Sequence, residues 1–266
     1  MSMGDYSEPK LTYGDYLKVP ELLELQQCLA DPPSHDELQF IIIHQTYELW
    51  FKLVLFELDS IIELMNKDKI RQATWLFHRV HAILKILYQQ IHILESMSPM
   101  DFLDFRDKLQ PASGFQSLQF REIEFISNLK DPAIFQHLKM DQESVARLEK
   151  RLKSETLWDA FLNCLKRNGF QVPENRDRDQ VIKELVRLHE QQDQHYDLFL
   201  LSEAMIEHDE LLSLWRLHHV KMVERMIGNK IGTGGSEGVR YLSATTSKKC
   251  FPELWDMRTF LKKTKP

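Results

Sequence analysis

The segment from His35 to Asn66 constrains the fold more than any other. In HDELQFIIIHQTYELWFKLVLFELDSIIELMN, apolar residues recur at three- and four-residue spacing and also fill the faces between, so a helix here is hydrophobic almost all round. Such a helix has little polar surface to offer water, which makes it the buried centre of a helical bundle. Ser34 and Glu37, following Pro32 and Pro33, have the spacing of a capping box and mark its start. His44 stands one turn after Phe40 and one turn before Glu48, on a shared face. A buried His beside a carboxylate is either a satisfied core pair or a catalytic group, and spacing leaves both open.

Helical periodicity continues along the chain. Residues 69–97 carry Val80, Leu84, Leu87, Ile91 and Leu94 on one face, suited to bundle packing. His78, His81, Lys85, Tyr88 and His92 form a second stripe, expected to be a solvated or interface face, because Lys85 repels a cation and no carboxylate shares the stripe. Phe102 and Arg106 lie one turn apart. The planar fork of Arg106 suits a carboxylate ligand, with a local ion pair to Asp104 or Asp107 as the alternative. In the PASGFQS turn, Ser113 and Gly114 offer a hydroxyl and an exposed backbone N–H. Residues 131–195 are more charged and less periodic, and are expected at the periphery.

A second long helix runs through HYDLFLLSEAMIEHDELLSLWRLHH. Leu212, Trp215, His219, Val223 and Met226 form one apolar row, and His218 points about a quarter turn away. Gly228 is a C-terminal stop, and Gly232, Gly234, Gly235 and Gly238 follow in a loop that can bring backbone N–H groups near a ligand. That loop lacks the ending of a P-loop and the spacing of a dinucleotide fingerprint. A neutral imidazole on a rigid, water-poor helix face is what haem iron needs as a proximal ligand, although a lone His on such a face also serves as a core residue. Without strand hairpins or internal repeats, the expected class is all-α.

A formal charge of −6 supplies no basic excess to neutralise phosphates, which argues against a general nucleic-acid binder. Cys28, Cys164 and Cys250 are odd in number, far apart and outside any C-x-x-C pattern, as expected in a reducing compartment. MSMGDYSEPK has no apolar leader and no apolar run approaches bilayer length, so the expectation is a cytoplasmic protein with no membrane partner. Residues 1–10 are expected as a disordered tail and 11–266 as a single domain. Tyr13, Tyr16 and Leu17 sit on a short arm able to pack on a neighbouring subunit, over a pocket mouth, or on the chain's own surface.

Several motifs occur together and in order: LTYGDYL at 11, HDELQFIIIHQTYELWFKL at 35, FRDKLQPASGFQSLQFR at 105, WRLHHVKMVERMIGNKIGTGGSEGV at 215 and FPELWDMRT at 251. Taken together they resemble the tryptophan 2,3-dioxygenase family over nearly the whole chain, most weakly across 131–195. The resemblance implies a homotetramer of all-helical subunits, each a helical-bundle domain holding one haem b that is active as Fe(II). It implies cleavage of the indole C2–C3 bond of L-tryptophan by O2 to N-formylkynurenine, the first step of the kynurenine route.

By matching motif, the resemblance makes His219 the proximal iron ligand, with His218 where Arg or Asn is commoner. It makes His44 the distal histidine facing the indole N–H, with Phe40 lining the indole pocket. Arg106 becomes the clamp on the substrate carboxylate, and Thr233 the hydroxyl that holds the head group. Ser113 and Gly114 match the turn over the haem, and Tyr13, Tyr16 and Leu17 the arm that a neighbouring subunit lends to the pocket. Phe102 stands where many relatives carry Tyr, and Glu237 replaces a usual Ser. Other chemistries remain distinct possibilities at this point: a relative inserting one oxygen into indole, a non-haem metal bundle, or a helical interaction module without cofactor.

Overall fold

A computed structural model describes residues 11–136, 141–233, 242–243 and 245–262. Among these residues the regular elements are helices, and none is a strand. Two short helices, α1 (Tyr13–Leu17) and α2 (Val19–Leu23), form the arm. The long helices α3 (Glu37–Asn66) and α4 (Ile70–Leu94) follow, then α5 (Pro99–Arg106) and α6 (Leu118–Ile126). Next come α7 (Gln142–Lys153), α8 (Leu157–Arg167), α9 (Arg178–Glu190), the long α10 (Tyr196–Ile227) and α11 (Pro252–Asp256). Helix α4 packs against both α3 and α10, while α6 and α8 pack on α3.

The two longest helices behave differently from a fully surrounded rod. Along α3, Ile43, Tyr47, Phe51, Val54, Leu58, Ile61 and Met65 are buried at three- and four-residue spacing. The other apolar side is bare within one chain: Leu38, Ile42, Leu49 and Phe56 are exposed, Phe56 at 66%. The expectation of a helix covered on all sides therefore fails, because one chain supplies neighbours on only part of its circumference.

The capping box expected at Ser34 and Glu37 is also absent. Glu37 is buried and spends its carboxylate on the backbone N–H groups of Leu29 and Ala30, at 2.7 and 2.9 Å. Two otherwise unpaired amides outcompete one cap, since a buried carboxylate needs more than one donor. The Thr156–Asp159 pair does form a reciprocal box at the start of α8.

Two further expectations change. Helix α8, inside the supposedly peripheral 131–195 stretch, buries Leu157, Trp158, Phe161, Leu162 and Leu165 in the main core, whereas α7 buries only Leu148. His81, expected on a solvated or interface face, is buried because α10 lies over it, with its Nδ1 3.2 Å from Glu207 Oε2. The tail expected at 1–10 and the substituted Glu237 lie outside the described residues. The C-terminal FPELW docks as expected: Asp209, buried on α10, accepts from the N–H groups of Cys250 (3.0 Å) and Phe251 (3.1 Å) and from Trp255 Nε1 (2.8 Å).

Burial also loads the core with neutral imidazoles. His208, bonded to Ser127 Oγ at 2.9 Å, is pushed down to about 3 by desolvation, and His81 and His189 to about 4 for the same first reason. Below the ordinary value of 6.5 the unfolded chain takes up protons that the folded chain refuses, so stability is lost as pH falls from 6.5 towards 4. The thermal midpoint is expected to drop by roughly several degrees over that window. A midpoint unchanged between those limits would contradict the neutral assignment.

Candidate active site

The core encloses a cavity of about 300 Å³ between the first half of α3, the turn after α5, the start of α6 and the C-terminal half of α10. Phe40, His44, Phe102, Arg106, Ser113, Gly114, Thr233 and His219, more than a hundred residues apart at the extremes, all line it. Tyr13, Tyr16 and Leu17 do not line this cavity; they are exposed on the arm, the two tyrosines at 78% and 72%.

One wall is α10. Its apolar row Trp215, His219, Val223 and Met226 faces the cavity, and Gly228 ends the helix with φ at 56°, a left-handed value that glycine adopts without a side-chain clash. The His219 ring stacks on Trp215 with centroids 5.3 Å apart and planes 4° apart. The imidazole makes no hydrogen bond to another described residue. Desolvation first, then the charges of His44, Arg121 and His218, push its pKa down to about 4. It is therefore neutral near pH 7, with a nitrogen lone pair to offer.

Helix α3 builds a second wall. His44 Nδ1 lies 2.7 Å from the carbonyl oxygen of Phe40, one turn earlier. A carbonyl can only accept, so Nδ1 carries the proton and Nε2 is left as an acceptor. Burial holds the His44 pKa below its ordinary value, against the Phe40 bond and the nearby Glu48 charge. The Phe40 ring lies tilted against His44 with centroids 4.1 Å apart and stacks on Phe102 at 5.8 Å, making an aromatic wall. Tyr47 is anchored by its hydroxyl to the Leu87 carbonyl at 2.9 Å, and burial raises its pKa well above the usual phenol value.

The third side joins loop to loop. Arg106, buried at the end of α5, donates from Nη2 to the carbonyl of Ile231 and lies 3.8 Å from Asp107. Thr233 Oγ1 donates to the Ala112 carbonyl at 2.7 Å. The start of the glycine-rich loop is thus fastened at two points to the turn after α5. Ser113 caps the following 3-10 turn, accepting from Phe115 N–H at 3.3 Å. A Cβ placed on Gly114 would meet nothing within 4 Å, so the glycine keeps cavity space open.

Sequence reasoning missed several lining residues. Glu48 accepts from Ser117 Oγ at 2.6 Å and Gln119 Nε2 at 2.8 Å, tying α3 to the start of α6. Arg121 stands over the rings of Phe115 (4.9 Å) and Phe120 (5.1 Å), bonded to Glu124 at 2.5 Å, with its Nε buried and unpartnered. No local spacing marks Glu48, because its partners come from the start of α6, whereas Arg121 and Glu124 have the three-residue spacing of a pair within one helix.

The residues fit an iron porphyrin. A neutral, otherwise unengaged imidazole on α10 lines the cavity, a second histidine lines it from α3, the lining is largely aromatic and aliphatic, and Gly114 leaves room at the turn. A three-helix wall with a guanidinium and a hydroxyl at one end also suits an amino acid with an aromatic side chain.

A family model described as tryptophan 2,3-dioxygenase matches residues 2–168 and 178–261. A protein of that name from Nocardioides sp. is 46% identical over 258 residues, covering 95% of each chain. One from Herpetosiphon aurantiacus is 46% identical over 94% of this chain and 98% of its own. One from Myxococcus xanthus is 38% identical over 95% of this chain and 90% of its own.

Proposed function

The chain belongs to the tryptophan 2,3-dioxygenase family, and from that premise we propose that its cavity binds haem and opens the indole ring of L-tryptophan with O2, giving N-formylkynurenine. The observation that carries the reading is the pair of histidines that two different helices bring to one cavity, His219 free to ligate and His44 fixed as an acceptor. Bound at His219, haem iron supplies activation of O2, and the absence of a C-x-x-C-H attachment motif supports a non-covalent haem b, active as Fe(II).

The chain's own residues orient and exclude. His219 offers a lone pair without first losing a proton, because desolvation already keeps it neutral. His44 Nε2 receives the indole N–H, and the Phe40 carbonyl prevents the ring from presenting a donor there instead. Phe40 and Phe102, packed on each other, offer the indole one aromatic wall, while Arg106 and Thr233 take the carboxylate and ammonium end. The apolar walls limit water around the reacting carbons. Both atoms of O2 enter the product, so turnover consumes no external reductant.

The assembly reading has its own support. Leu38, Ile42, Leu49 and Phe56 on α3, and Tyr13, Tyr16 and Leu17 on the arm, are apolar surface that a homotetramer would cover, with the arm reaching a neighbour's cavity. The three unpaired cysteines favour a reducing, cytoplasmic setting. Among the described residues, no helix is long and apolar enough to cross a membrane.

The test is an absorption spectrum of the reduced protein with and without L-tryptophan, followed by the mass of the product. A haem band perturbed by substrate and a product carrying two added oxygen atoms are expected. A colourless protein after haem supplementation, or a product with one added oxygen, would overturn the reading.

A further inference from the structure

Outside the cavity, the end of α4 and the middle of α10 bring together His92, Glu95 and His218, with one ligand atom of each within 4.8 Å of the others. His92 and Glu95 share the last turn of α4 at a three-residue spacing, and His218 arrives from α10 because the two helices pack side by side. Glu95 bridges the two rings: Oε2 lies 3.0 Å from His92 Nδ1 and Oε1 lies 3.2 Å from His218 Nε2. None of the three lines the cavity.

We propose that His92, Glu95 and His218 form a binding site for one divalent transition-metal ion of the zinc type. Ligands at 2.0–2.2 Å from a tetrahedral ion stand roughly 3.3 Å apart, so the observed separations need only small shifts to admit one. The ion pairs that Glu95 makes among the described residues are to these two imidazoles, leaving its charge without a permanent cation. His218 Nδ1 is buried and unpartnered, so Nε2, the atom facing Glu95, is the nitrogen through which that ring interacts. The rings of His218 and His92 are 4.6 Å apart and Tyr88 packs on His218 at 4.7 Å, which limits the rotamers of the set.

Glu95 and His218 are mostly covered, at 16% and 14% side-chain exposure, while His92 at 53% leaves an entrance and a place for water as the fourth ligand. Two imidazoles and one carboxylate select zinc, copper or nickel over calcium or magnesium. Binding displaces the ring protons that now face Glu95 and changes no oxidation state.

The experiment uses tag-free, haem-loaded, full-length protein freed of metal by a chelator and titrated with zinc by equilibrium dialysis. One zinc per chain is expected, with His92→Ala and Glu95→Gln each weakening binding by at least roughly tenfold while the haem absorption stays unchanged, and with calcium failing to compete. Absence of stoichiometric zinc in the wild type, or equal binding by wild type and both variants, would overturn the site. Haem content is read separately in the same samples, so failure of the haem assignment and failure of the zinc site are distinguishable.

Discussion

His219→Ala is expected to purify without a haem absorption band and without turnover of L-tryptophan. His219 is the one imidazole on the α10 wall of the cavity, held flat against Trp215 and neutral near pH 7 because burial pushes its pKa down to about 4. Alanine keeps the helix and removes the one imidazole that α10 brings to the cavity among the described residues, while the neighbours Val223 and Met226 offer no nitrogen lone pair in its place. Outer partners of a metal ligand commonly account for ten- to a hundredfold in affinity, and loss of the ligand itself should exceed that, by about a hundredfold or more. Because the vacated space is the volume of an imidazole ring, added imidazole should restore part of the band. A variant with unchanged haem absorption and full activity would contradict the assignment.

Arg106→Ala should lower kcat/KM for L-tryptophan by about a hundredfold or more, about 3 kcal/mol, since removing one member of a desolvated charge pair costs about 2–5 kcal/mol. Tryptamine, which lacks the carboxylate, should lose far less. The comparison is needed because Arg106 also holds the Ile231 carbonyl, so its loss loosens the glycine-rich loop as well. Equal losses for the two substrates would assign Arg106 to loop packing and remove it from substrate recognition. Lysine should not replace it, because one ammonium cannot present a two-pronged face to a carboxylate.

The long helices were legible from their periodicity, with α3 read as 35–66 against Glu37–Asn66 and Gly228 placed correctly as the stop of α10. His44 and His219 were visible as polar residues on apolar rows, but spacing alone left each between a core role and a functional one. What spacing does not carry is the company each side chain keeps. Glu37 reads as a cap and instead serves two amides seven and eight residues earlier. His81 reads as a solvated or interface position until α10 covers it, and Glu48 gains its partners only when α3 meets the start of α6. Burial of α8 was similarly hidden, because its charged flanks lower the apolar density of the whole region.

The bond from Arg106 to the Ile231 carbonyl places a neutral oxygen on one arm of the guanidinium. If Arg106 is the proposed clamp, an arriving carboxylate competes there with a neutral oxygen already held by Nη2. The net gain is the margin between an anionic and an uncharged acceptor, smaller than either attraction alone. Under that proposal, amides and esters would bind Arg106 poorly, because their oxygens are no better acceptors than the carbonyl they would have to displace.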